Sequence, residues 1–182
     1  MKKEELFNYG VKIINEFCEL NNIKKPNIVL IDGNKRSACG YYTYRNKTIH
    51  ICLKKCAREV ITPTAWGWSH HGYFSDREPA GVVCHEFGHY LHHILTNNKM
   101  KLTAKGRITS YEPNYYERFA ETIKLFMLNP DLLKQYNPAR YKEITSLGIV
   151  PVITTDWKTT LGKDINPKFI VAAENKIKKN NS

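Results

Sequence analysis

The residues best suited to chemistry form one pentapeptide, His85-Glu86-Phe87-Gly88-His89. On a helix, two histidines four positions apart lie on one face with Cβ atoms about 5–6 Å apart. Both imidazoles can then reach one tetrahedral Zn²⁺ at roughly 2.0–2.1 Å per nitrogen. Glu86 lies beside that face, too short to join the ligands but placed to take a proton from water on the metal. Zinc lowers the pKa of such a water towards ~7, and a neighbouring carboxylate completes its activation at neutral pH. The same five residues also occur by chance as a pair of surface histidines on an ordinary helix, so their context has to carry the argument.

A hydrolytic zinc site keeps three protein ligands and one open position for water. The residues that follow do not supply the third ligand. His89 leads into Tyr90-Leu91-His92-His93-Ile94, without the glycine and third histidine of an HExxHxxGxxH pattern. His93 is two turns from His85, too far along to share its metal, so His92 and His93 read as surface or partly buried side chains. The better source is Tyr115-Tyr116-Glu117-Arg118-Phe119-Ala120-Glu121. Glu117 and Glu121 fall one turn apart on one face, as a ligand and a carboxylate that orients a ligand would. Each also has a plainer reading. Asn114-x-x-Glu117 matches a capping box, and Glu121 could simply pair with Lys124.

The elements that must position these residues can be read from the apolar pattern. Leu6, Tyr9, Ile13, Ile14, Phe17 and Leu20 recur at helical spacing and predict an amphipathic helix over 3–22. Residues 27–32 read as a short strand, and 40–45 with 47–53 as a hairpin turning about Arg45-Asn46. Residues 61–77 are loop-like and aromatic-rich. Ser75 or Asp76 can cap the next helix, with Pro79 in its first turn. That helix carries the pentapeptide and runs to about residue 95, with Val82, Val83, Phe87, Tyr90, Leu91 and Ile94 on its core face. Gly88 lies inside it, where glycine costs about 1 kcal/mol relative to alanine, and invites an explanation such as the close approach of another backbone or of substrate. A basic connection over 97–110 leads to a second helix over 114–128, bounded by Pro113 and Asn129-Pro130. Pro138, Pro151 and Pro167 divide the remainder into short helices and one candidate strand over 152–155. The expected fold is α+β, one domain spanning 1–182, with a core over about 26–128 and a helical extension over 129–178.

His85 to His89, followed by Thr109-Ser110-Tyr111 and then Glu117-Arg118-Phe119-Ala120-Glu121, resembles the catalytic domain of anthrax-toxin lethal-factor-type metallopeptidases. These are zincins of the glutamate-ligand (gluzincin) type. The resemblance covers about residues 26–128, and its specific part lies within 85–121. It implies a zincin-like fold with a small mixed sheet, the motif helix, and a second helix donating a Glu ligand. It also implies His85, His89 and Glu117 as zinc ligands, Glu86 as base, and Tyr111 as the phenol that assists the developing oxyanion. The interval from Tyr111 to Glu117 is one residue shorter than the family pattern, and a slip of that size would hand the role to Tyr115 or Tyr116. Whichever tyrosine serves, the physical requirement is an O–H aimed at the oxyanion.

Other features bound the function without deciding it. Apolar residues at 42% and charged residues at 25% exclude wholesale disorder. No apolar run approaches the ~20 residues that span a bilayer, and none near the N-terminus reads as a signal peptide. Five cysteines without a repeated spacing argue against a disulfide framework and for a reducing cytoplasm. His50, Cys52 and Cys56 invite a second zinc site but lack a fourth ligand, and read as buried thiols and a strand histidine. His70 and His71 beside Trp66 and Trp68 read as an aromatic loop on the core, or as the lining of a substrate cleft. The net charge of +11 suits a solubilising surface, and would also attract nucleic acid or an acidic partner. The expected activity is zinc-dependent endopeptidase hydrolysis of a protein or peptide substrate. Its rivals are a zinc-containing binding module that does not cleave, and a DNA-associated protease of the SprT/Spartan sort. The latter uses a third His where this chain offers Glu117.

Overall fold

The structure is a computed structural model that describes residues 3–33, 38–56, 78–109 and 111–152, with residues 175, 178, 179 and 182. The aromatic loop over 61–77, the strand proposed to begin at 152 and most of the last predicted helix therefore lie outside the described residues.

The first helix, α1 (Lys3–Leu20), buries Leu6, Gly10, Ile13, Ile14, Phe17 and Cys18 along one stripe. Leu20, expected on that stripe, is exposed because the helix ends there. Asn22 adopts a left-handed φ of 52° and the Ile23 N–H returns 2.8 Å to the Cys18 carbonyl, a helix stop that satisfies orphan carbonyls. Three strands follow: β1 (Asn27–Leu30), β2 (Gly40–Thr43) and β3 (Thr48–Ile51). They form a mixed sheet in the order β1-β3-β2, with β1 parallel and β2 antiparallel to β3. The hairpin is shorter than its β-propensity suggests. Pairing stops at Thr43 opposite Thr48, where Thr43 Oγ1 bonds Asn46 and the Thr48 carbonyl and Lys47 turns left-handed at φ 51°. Leu53–Lys55 then forms a 3-10 turn, not a continuation of β3.

The motif helix, α2 (Pro79–Thr96), is capped by Glu78, whose side chain accepts from the Gly81 N–H. Ser75 and Asp76, expected in that role, lie outside the described residues. The helix ends at Asn97, again left-handed. A connection without helix or strand among its described residues leads to α3 (Tyr115–Leu128), and α4 (Pro130–Tyr136) and α5 (Pro138–Thr145) follow. Asn114, Asn129 and Asn137 cap α3, α4 and α5 in turn, and proline opens α4 and α5, where its missing N–H costs nothing. Within the expected helical extension, α4 and α5 bury Leu132, Leu133, Tyr136 and Ile144 in the same core as α1, α2 and the sheet. No helix among the described residues is long and apolar enough to cross a membrane.

The core is organised around α3, every residue of which from Phe119 to Leu128 is buried. Phe17 of α1 meets Phe87 of α2 and Phe126 of α3 edge-on, with ring centroids 5.7 and 6.4 Å apart. Two glycines set the helix spacing. A Cβ on Gly10 would lie 3.1 Å from the Ala80 backbone and collide with Val83, and one on Gly88 would lie 2.6 Å from the Ala120 Cα. The mid-helix glycine of the motif is thus explained by the close approach of another backbone.

Gly88→Ala should therefore destabilise the protein by about 1–3 kcal/mol through overpacking, although alanine is the better helix former. Gly33→Ala, where the added methyl meets nothing within 4 Å, should leave the thermal midpoint nearly unchanged. A Gly88→Ala protein that melts at or above the wild-type temperature would refute the close approach of α2 and α3.

Candidate metal centre

The contact of α2 with α3 brings the candidate ligands together. His85 and His89 project from successive turns of α2 with ring centroids 4.9 Å apart. Glu117, in the first turn of α3, points its Oε2 between them, 3.0 Å from His85 Nε2 and 3.4 Å from His89 Nε2. Together they offer ligand atoms that all lie within 4.8 Å of one another, the one such group among the described residues. Asn114 Oδ1 accepts from the Glu117 N–H at 3.0 Å, so the backbone half of the capping box is real. The Glu117 carboxylate nevertheless faces the histidines.

The donor set fits a divalent metal on a further observation. Glu117 Oε2 is buried, and the only polar side-chain atoms described beside it are the two imidazole nitrogens. Three lone-pair-bearing atoms converging on one point suit an electrophile between them, a proton or a metal ion. Two imidazole nitrogens and one carboxylate oxygen are a donor set that catalytic zinc accepts, with a fourth position left for water.

Glu121 lies one turn further along α3 and behind His85. The His85 Nδ1–H donates to Glu121 Oε1 at 2.6 Å, because a carboxylate can only accept. This fixes the tautomer that leaves Nε2 facing Glu117. The second oxygen of Glu121 accepts from Lys124 Nζ at 2.7 Å, and both side chains are almost completely buried. Glu121 is thus both the orienting carboxylate and the partner of Lys124, two readings the sequence posed as alternatives. The buried role of Lys124 was missed there. Its signal was a lysine three residues after Glu121 and between Ile123 and Leu125, where a charge has no place unless it is paired. His89 has no such support, since its Nδ1 is buried without a hydrogen-bond partner among the described residues.

The electrostatics of the cluster follow from burial and close charges. Burial alone would depress His85, but Glu117 and Glu121 outweigh it and raise its pKa to about 10. Burial would raise Glu117, yet His85 and His89 draw it down to about 2. Glu121 is held below the usual carboxylate range, with burial opposed by Lys124 and His85. The buried carboxylates thus require positive charge beside them, which a protonated imidazole can supply. A metal supplies it instead when the imidazoles are neutral. Glu86 differs. Burial raises its pKa above the ordinary carboxylate value, against the opposing pull of His85, His89 and the Tyr42 backbone amide. A carboxylate shifted upward is a better proton acceptor than an ordinary one.

The remaining candidates sort by position. Tyr111 is half-exposed, with its ring 5.9 Å from that of His85. Tyr115 and Tyr116 stack on each other and face His92. His92 is buried, donates its Nε2–H to the Met100 carbonyl at 2.9 Å, and stacks on Phe119. His93 hydrogen-bonds the Tyr42 hydroxyl at 2.9 Å. Neither belongs to the converging group, and His92 is fully buried where the sequence predicts a surface or partly buried side chain. His50 stacks on Tyr41, and Cys52, Cys56 and Cys84 are buried as small apolar side chains. His70, His71, Trp66 and Trp68 lie outside the described residues. Compared with protein-family models, curated proteins and solved structures, the chain matches none.

Glu117→Ala should abolish stoichiometric binding of zinc, and Glu121→Ala should weaken it about 10–100-fold, as read by chelator competition. Loss of the metal in Glu121→Ala with retention in Glu117→Ala would move the ligand one helical turn.

Proposed function

We propose that this chain is a zinc-dependent endopeptidase of the zincin type with a glutamate third ligand. The observation that carries the reading is the convergence of His85 Nε2, His89 Nε2 and Glu117 Oε2 with the carboxylate of Glu86 beside them. A purely structural zinc site is closed by a fourth protein ligand and has no use for a carboxylate acting on water. Here no fourth His, Cys, Asp or Glu among the described residues joins the three, and the Glu86 carboxylate lies close to them.

Zinc, when bound, acidifies a water towards pKa ~7 and polarises the scissile carbonyl. Glu86, buried and within reach of the Tyr42 backbone amide of β2, would take a proton from the attacking water and return it to the departing amine. The Tyr111 O–H donates to the carbonyl oxygen as negative charge builds on it. Glu121 and Lys124 keep the His85 ring from rotating out of place. Among the described residues β2 is an edge strand of the sheet, and its Tyr42 amide reaches Glu86. An extended peptide added along that edge would therefore have its backbone delivered to the base.

Glu86→Gln should retain one zinc per chain and lose about 10²–10⁴-fold in cleavage of a degenerate peptide library. Tyr111→Phe should lower kcat about 10²-fold with KM little changed. A wild-type protein that holds zinc stoichiometrically yet cuts neither peptides nor folded proteins would favour the non-cleaving binding module.

A further inference from the structure

The connection between α2 and α3 spans 97–114, and loops of that length without secondary structure in a small domain are usually functional. It carries Tyr111, and its conformation cannot come from a helix or strand ladder. Two backbone N–H groups of its second half are taken up instead by one buried carboxylate. Glu112 Oε1 accepts from the Ile108 N–H at 2.7 Å and the Thr109 N–H at 3.1 Å. Thr109 Oγ1 in turn accepts from the Tyr111 N–H at 3.2 Å. The chain on either side of position 110 is thereby folded back on Glu112.

Glu112 is itself held by Arg140 of α5, whose side chain is fully buried. Arg140 Nη1 donates to Glu112 Oε1 at 3.0 Å and Nη2 to Oε2 at 2.7 Å, a two-pronged pair. The same guanidinium donates to Thr122 Oγ1 of α3 at 3.2 Å and to the Gly106 carbonyl. Thr122 adjoins Glu121, which orients His85. One rigid planar cation therefore ties the Tyr111 loop to the helix that presents Glu117 and Glu121. A lysine, with a point charge and no fork, cannot make these bonds together. Buried ion pairs are poor contributors to stability and are better suited to fixing one arrangement among several.

We propose that Arg140 is a positioning residue for Tyr111, acting through Glu112 to hold the phenol beside His85. The inference deepens the proposed function and rests on its assignment of Tyr111. It assigns to α5 a part in the active site that lies outside the motif region altogether.

The test uses the full chain with 3-fluorotyrosine placed at position 111, and the variants Arg140→Lys, Glu112→Gln and Tyr111→Phe. Helical circular dichroism identifies any variant that fails to fold, and Glu112→Gln, which is isosteric, stands in if Arg140→Lys does so. In a folded variant, the fluorine resonance of position 111 should shift or broaden in the metal-free protein, with zinc content per chain unchanged after loading. On peptide substrate, kcat should fall about 10²-fold with KM within about twofold, and the Arg140→Lys/Tyr111→Phe double variant should be no slower than Tyr111→Phe. An unchanged fluorine resonance overturns the proposal. So do losses in the double variant that multiply, since Arg140 would then act by another route. If wild type cuts nothing, or Tyr111→Phe is as fast as wild type, the functional assignment of Tyr111 fails separately. The fluorine comparison still decides whether Arg140 positions it.

Discussion

The arrangement depends on how closely two helices approach. The absent side chain of Gly88 admits the backbone of Ala120, and that contact brings the first turn of α3 to the face of α2 bearing His85 and His89. A methyl at position 88 would push α3 outward, and Glu117 Oε2 would leave its place 3.0 and 3.4 Å from the two imidazoles. Packing and site geometry are therefore one constraint. Glycine's cost in helix propensity is offset by a contact that no other residue permits.

The second organising feature is the number of charges α3 carries into the interior. Glu121 and Lys124 are buried, and Thr122 meets the buried Arg140–Glu112 pair. Stability alone would favour apolar residues of similar size, because removing ions from water costs several kcal/mol each. Each buried charge here has an orienting task. Lys124 occupies one oxygen of Glu121 so that the other faces His85, and Arg140 occupies Glu112 so that the loop bearing Tyr111 has one path. Breaking either pair one partner at a time leaves an uncompensated buried charge, at roughly 3–5 kcal/mol.

How much of this could be read from the sequence follows from the range of the interactions. The pentapeptide, its helix and the one-turn spacing of Glu117 and Glu121 are local patterns, and the structure places those residues together. The hairpin and the closing turns at Asn22 and Asn97 were likewise near-neighbour features, although the strands end earlier than their β-branched residues suggested. The parallel pairing of β1 with β3 was not legible, because nothing at residues 27–30 encodes a partner eighteen positions beyond the strand. Arg140, and the burial of Lys124, were missed for a related reason. A lone basic residue on a predicted helix reads as solvated surface, and only the tertiary fold shows the carboxylate buried behind it. Glu112 was invisible as the organiser of its loop, since its hydrogen bonds run to backbone groups and to an arginine 28 positions away, and leave no mark in composition.

The measurement that tests the central claim most directly is X-ray absorption at the zinc edge of the loaded protein. Two imidazole nitrogens and a carboxylate oxygen predict a shell of nitrogen and oxygen at roughly 2.0–2.2 Å with imidazole multiple scattering. A sulfur shell near ~2.3 Å would place the metal on the thiols of Cys39, Cys52 or Cys56 instead. That result, or a protein that takes up no zinc, would contradict the centre described by His85, His89 and Glu117.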